Sequence, residues 1–159
     1  MIKSFLLVIL SGMFLQNTGS KIFQVNGYWK TQNGNSYLKI QQETAISYSN
    51  LTTGQYHQNR YKVKWLDHCR FLLIVEDNKS NVFPEPVGTT YEFECNLSEG
   101  NDVLMCNRKL LSMESNNVKL FFERSGKEEF ENFRTDFKEK LKMALKSPVD
   151  WSIPGEVIN

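Results

Sequence analysis

The segment Thr90-Tyr-Glu-Phe-Glu-Cys-Asn-Leu-Ser-Glu-Gly-Asn-Asp-Val-Leu-Met-Cys-Asn-Arg108 reads as two β-strands joined by a tight two-residue turn at Gly100-Asn101. Gly and Asn tolerate the positive φ angles that such hairpin turns require. A turn at that point pairs residue 99 with 102, 97 with 104 and 95 with 106. Tyr91, Phe93, Cys95 and Leu97 then share a face with Leu104 and Cys106, and Glu92, Glu94, Asn96 and Ser98 take the other. Cys95 and Cys106 fall opposite each other, at a Cα separation of ~5 Å that a disulfide can span. The chain has three cysteines, so one bond and one leftover thiol are expected. Cys69 joined to either of the other two is the competing arrangement.

Upstream, short alternating segments follow one another with turn residues between them, the pattern of a β sandwich or barrel. Ser36 to Gln41 places Leu38 and Ile40 together; Thr44 to Leu51 places Ile46 and Tyr48 opposite Ser47 and Ser49. Gln55 to Leu66 carries Tyr61, Val63 and Trp65 on one face, and Cys69 to Val75 carries Cys69, Phe71, Leu73 and Val75. Each is the period-2 signature of a strand with one wet face. Asn78 to Gly88 contains Pro84, Pro86 and Gly88 and is expected to be a binding or partner-facing loop. Asn117 to Glu123 closes the strands with Val118, Leu120 and Phe122 on one side and Phe121 on the other.

The period then changes. Ser125 and Glu128 have the spacing of a capping box. Phe130, Phe133, Phe137, Leu141 and Leu145 form one apolar stripe on a helix over about 126–146, ending before Pro148. The expectation is a helix laid on the outside of the sheet, with Phe121 as part of its floor.

At the amino end, Lys3, the greasy run from Phe5 to Leu15, and small or polar residues through Ser20 read as a secretion signal over 1–20. The apolar run is short of the ~20 residues that cross a bilayer, so no stable membrane anchor is expected. The anticipated layout is one barrel-plus-helix domain over 21–147 and a tail over 148–159, placing the protein outside the cytoplasm. Removing residues 1–20 deletes only Lys3, which leaves 18 basic against 18 acidic side chains. A neutral chain without a Lys/Arg block gives no support to a nucleic-acid partner.

Catalytic signals are thin. His57 and His68 are the only imidazoles, and neither belongs to a metal-binding pair, so no metal and no cofactor is expected. His57 is expected to face inward with Tyr61. No Gly-x-Ser-x-Gly elbow, phosphate loop or dinucleotide fingerprint occurs, and no catalytic set can be named.

One constellation adds to this. Gly27-Tyr28-Trp29 precedes the first clear strand, and Arg124 ends the last one on the face of Leu120 and Phe122. This resembles the lipocalin pattern, in which a Gly-x-Trp plugs one end of the barrel beneath an Arg from the last strand. A guanidinium over an indole contributes about 1–2 kcal/mol. The resemblance covers most of residues 22–146. It implies an up-and-down, roughly eight-stranded all-β barrel with structural roles for Gly27, Trp29 and Arg124. It also implies a small apolar ligand walled by Tyr48, Tyr61, Val63, Phe71, Leu73, Tyr91, Phe93 and Phe122. A barrel of this size either is filled by side chains or holds one small ligand. The alternative expectation is a filled protein-interaction module acting through Asn78–Gly88 or the tail, where Trp151 and Ile153 lie.

Overall fold

Eight antiparallel strands run in sequence order around a closed barrel, each bonded to its chain neighbours and the last bonded back to the first. The computed structural model describes residues 25–113 and 117–147; the expected signal and tail lie outside the described residues. The strands are β1 (Gly27–Thr31), β2 (Ser36–Ile40), β3 (Thr44–Thr52), β4 (Gln55–Trp65), β5 (Arg70–Ser80), β6 (Thr90–Leu97), β7 (Val103–Leu110) and β8 (Asn117–Ser125). One helix, α1 (Lys127–Lys146), follows. The all-β meander and the external carboxyl-terminal helix read from the periodicity are thus the observed fold.

The β6–β7 hairpin pairs Cys95 with Cys106 and Leu97 with Leu104. The Cys95–Cys106 disulfide is formed, with the Cα atoms 4.1 Å apart, and Cys69 is the free thiol. The turn is wider than a two-residue loop. Asn101 N–H donates to the Ser98 carbonyl (2.9 Å), Ser98 N–H donates to the Val103 carbonyl (2.9 Å), and Asn101 alone adopts positive φ, 59°. Asn tolerates that left-handed conformation, so the register survives the wider turn.

One end of the barrel is sealed. Trp29 is fully buried, and its indole N–H donates to the Val25 carbonyl (2.8 Å). Arg124 pairs with Trp29 across β1 and β8 and stacks its guanidinium 4.2 Å from the ring centroid. Gly27 has φ 142°, and a Cβ there would meet an Arg124 guanidinium nitrogen at 3.0 Å, so side-chain-free backbone is required at that contact. Above this plug, Ile40, Val63, Phe71, Leu73, Val75, Leu104 and the disulfide fill the interior. Phe71 stacks on Phe93 with ring centroids 5.5 Å apart.

The helix covers the outer face of β1 to β4. Phe130 and Phe137 are buried against Tyr28, Tyr37, Tyr48 and Tyr56, with Phe133 stacked on Tyr37 at 4.1 Å. Three sequence expectations are corrected here. Tyr48, expected in the barrel wall, lies outside it beneath the helix together with Ile46 of the same face. Alternation shows which residues share a face, and on β3 the larger apolar pair goes under α1 while Ala45, Ser47 and Ser49 turn in. Phe121 is not part of the helix floor: it is exposed and absent from the aromatic cluster beneath the helix. No capping box forms: the N-cap is Gly126, and Ser125 Oγ instead donates to Glu129 Oε2 (2.8 Å). Lys30 Nζ (2.7 Å) and the Tyr37 hydroxyl (2.9 Å) also reach the Glu129 carboxylate, tying the helix start to the barrel. These donors, Lys30 foremost, hold the Glu129 carboxyl down at about 2.

The expected Asn78–Gly88 loop is shorter than the composition implied. A bulge sets Arg60 opposite Asp77 but Tyr61 opposite Val75, after which Asn78 pairs with Asn59 and Ser80 with His57. The extra residue switches which side chains point inward, so the period breaks in the sequence while the strand continues.

Candidate functional site

At the end opposite Trp29 the barrel interior is open. A cavity of about 350 Å³ lies there, bordered by Ser47, Ser49, His57, Asn59, Tyr61 and Arg108, with apolar sides from Leu51, Val82, Phe83 and Phe93. A neighbouring lobe of about 250 Å³ shares Ser47, Ser49, Tyr61, Phe93 and Arg108 with it. The lobe continues to Leu38, Leu73, Leu120 and Phe122. The result is a polar mouth leading to a more apolar side chamber, lined by residues from both halves of the meander.

The positions follow from strand register. Alternation along β4 turns His57, Asn59 and Tyr61 inward, and on β7 it aligns Arg108 with Leu104 and Cys106. Arg108 pairs with Phe93 and holds its guanidinium 5.2 Å from the Tyr91 ring centroid. Loop 81–89 folds back over the mouth. Its Glu85 carboxylate accepts from Asn59 Nδ2 (2.7 Å) and from the Tyr91 hydroxyl, while the Glu85 carbonyl accepts from Asn78 Nδ2. Asn59 Nδ2 also donates to the Tyr61 hydroxyl (2.9 Å), which shares a further hydrogen bond with Ser47 Oγ (3.2 Å). Burial raises the Tyr61 phenol, and burial followed by the Glu85 hydrogen bond raises that of Tyr91, so both keep their protons.

Three atoms in this setting remain unmet. Both ring nitrogens of His57 and Oδ1 of Asn59 are buried and have no partner among the described residues. Asn59 is 2% exposed.

Of the eight expected wall residues, Tyr61, Tyr91 and Phe93 border the larger cavity, and Leu73 and Phe122 border the side lobe with Tyr61 and Phe93. Val63 and Phe71 are interior but belong to the packed region toward Trp29, and Tyr48 is outside. Ser47, Ser49, Asn59, Glu85 and Arg108 were not singled out from sequence. Arg108 was within reach, because it continues the parity of Leu104 and Cys106. Glu85 was not, because a loop residue has no period to follow.

A second cluster lies at the sealed end. Asp67, His68 and Cys69 bring metal-type ligand atoms within 4.8 Å of one another. The Asp67 carboxylate is already occupied by the backbone N–H groups of Cys69 and Arg70 (2.9 Å each) and by Arg70 Nε (2.7 Å). The Cys69 thiol is pushed up by burial and by its hydrogen bond to Asp67. This is a self-satisfied turn.

The molecule is therefore a closed eight-stranded antiparallel barrel with an external helix and an interior cavity at one end. No protein-family model matches the chain, and neither does any curated protein or solved structure.

Proposed function

We propose that this chain is an exported, lipocalin-like binding protein that holds one small molecule in the open end of its barrel. The observation that carries the reading is the cavity of about 350 Å³ bordered by His57 and Asn59, three of whose buried polar atoms have no partner among the described residues. A barrel whose interior served packing alone would gain by placing apolar side chains at His57 and Asn59, since unmet buried polar groups cost stability. Ligand sites combine apolar walls with a few convergent polar groups, and volumes begin at about 300 Å³. Tyr61, Leu73, Tyr91, Phe93 and Phe122 supply the walls. The apolar ligand implied by the family pattern becomes an amphipathic one, because the mouth is polar. Export rests on the composition of residues 1–20 and agrees with the Cys95–Cys106 disulfide, since such bonds persist in oxidising compartments.

Native mass spectrometry of the protein isolated from its own host tests this. A reproducible adduct of small-molecule mass is expected. Bare polypeptide mass in every preparation, together with no uptake of the neutral apolar dye N-phenylnaphthylamine, would remove the reading.

A second reading, docking of a protein partner on loop 81–89, is favoured by one observation: Phe83 and Val87 are 77% and 71% exposed. Replacing Val87, which does not border the cavity, with Asp would weaken such docking and leave dye uptake through the barrel mouth intact.

A further inference from the structure

The hydrogen-bonding capacity left unused in the cavity describes the molecule that would complete it. Arg108 carries a full positive charge and offers five N–H donors. Among the described residues it makes no ion pair, and its one specific contact is the face of Tyr91. Glu85, the carboxylate at the mouth, is met on both oxygens by Asn59 and Tyr91. The cavity thus holds a cation whose donors are unspent and a carboxylate whose acceptors are spent on neutral donors. A cationic ligand would face Arg108 and find the Glu85 oxygens already engaged, whereas an anionic one would find an open guanidinium. The remaining free atoms are Asn59 Oδ1, which only accepts, and the two nitrogens of His57. A neutral imidazole presents one donor and one acceptor. Acceptors without partners call for an O–H or N–H on the ligand. The side lobe, with Leu38, Leu73, Leu120 and Phe122, receives an apolar body.

We propose that the cavity takes a small organic anion that bears a hydroxyl or N–H donor on an apolar frame. Its anionic group pairs with Arg108, and its donor is accepted by Asn59 Oδ1 or the free nitrogen of His57. This rests on the reading of the cavity as a ligand site and specifies the chemistry of its occupant. A carboxylate or sulfonate suits the planar, multidentate guanidinium, which forms paired charge-assisted hydrogen bonds.

The test uses two dyes that share rings and an anilino N–H and differ in charge. Anilinonaphthalene sulfonate is anionic, and N-phenylnaphthylamine is neutral. Fluorescence titration of the folded protein should show tighter binding of the sulfonate, by roughly tenfold or more for a charge-assisted pair. Arg108→Gln should erase that preference by costing the sulfonate about tenfold more affinity than it costs the neutral dye, and Arg108→Lys should restore part of it. Ser49→Trp, which fills the mouth, should weaken both dyes. For the donor, hydroxynaphthalene sulfonate should displace the bound dye better than naphthalene sulfonate, and His57→Leu should remove the difference. Equal affinity for the two dyes in the unmodified protein, or equal losses in Arg108→Gln, would overturn the anion assignment while the cavity reading stands. Equal displacement by the two competitors would overturn the donor. Failure of both dyes to bind at all would instead remove the underlying reading.

Discussion

Tyr48 and Phe137 offer a quantitative test of the helix-on-barrel arrangement. Tyr48 is 1% exposed and Phe137 2%, and their rings meet edge-on with centroids 5.3 Å apart. Truncating a buried aromatic to Ala costs about 3–5 kcal/mol, transfer and cavity terms together. Two such losses approach the whole stability of a domain, about 5–15 kcal/mol. Leu is therefore the better replacement, since it keeps bulk while removing the ring pair. Aromatic pairs in this geometry contribute about 0.5–1.5 kcal/mol beyond area burial. A urea-unfolding double-mutant cycle of Tyr48→Leu and Phe137→Leu should give a coupling of that size. Tyr48 would still touch Phe130, centroids 5.8 Å apart, so the single Phe137→Leu leaves part of its environment intact. The parallel cycle of Phe137→Leu with Phe71→Leu, whose rings belong to separate clusters, should be additive to within ~0.5 kcal/mol. Tyr48→Leu should also leave uptake of N-phenylnaphthylamine unchanged. Zero coupling between Tyr48 and Phe137, or loss of dye binding in Tyr48→Leu, would refute the placement of Tyr48 under the helix.

Three further outcomes are expected. Replacing Cys95 and Cys106 with Ala should lower unfolding free energy by about 2.5–3 kcal/mol on loop-closure entropy, given a sequence separation of 11; an unchanged urea midpoint would contradict it. The carboxyl of Glu129 is held near 2 by Lys30, Ser125 and Tyr37, below its ordinary 4.5. A depressed carboxylate stabilises the fold above its unfolded value and loses that contribution as pH falls through its folded value. Glu129→Gln should therefore be less stable than the unmodified protein at pH 6, with the gap closing between about 4.5 and 2; a gap independent of pH would refute this. Because burial and Asp67 raise the Cys69 thiol, Asp67→Asn should speed its alkylation by iodoacetamide at pH 8, and an equal or slower rate would contradict that cause.

Much of the fold is legible in local patterns because strand periodicity and turn chemistry are local. The Gly100-Asn101 turn places Cys95 against Cys106 even though the turn itself is wider than expected, since register depends on the sum of paired positions rather than on loop type. The helix is equally visible in the stripe from Phe130 to Leu141. The candidate site is less legible. Val63, Tyr61, Phe93 and Tyr91 have the same alternating signature, yet only the last three border the cavity. Distance from the Trp29 plug separates them, and that distance appears only when all eight strands are closed.

Residue order alone settles which side chains share a face, where the chain turns, and that Cys95 can meet Cys106. Those are properties of a few consecutive residues and of backbone geometry. Only the tertiary structure decides which face of β3 looks inward, because that depends on α1, some eighty residues later in the chain, covering Tyr48. It likewise decides that Glu85 reaches Asn59 and Tyr91 while Arg108 forms no ion pair among the described residues. Charge balance inside a barrel is set by side chains from strands and loops distant in sequence, and no local pattern encodes their meeting.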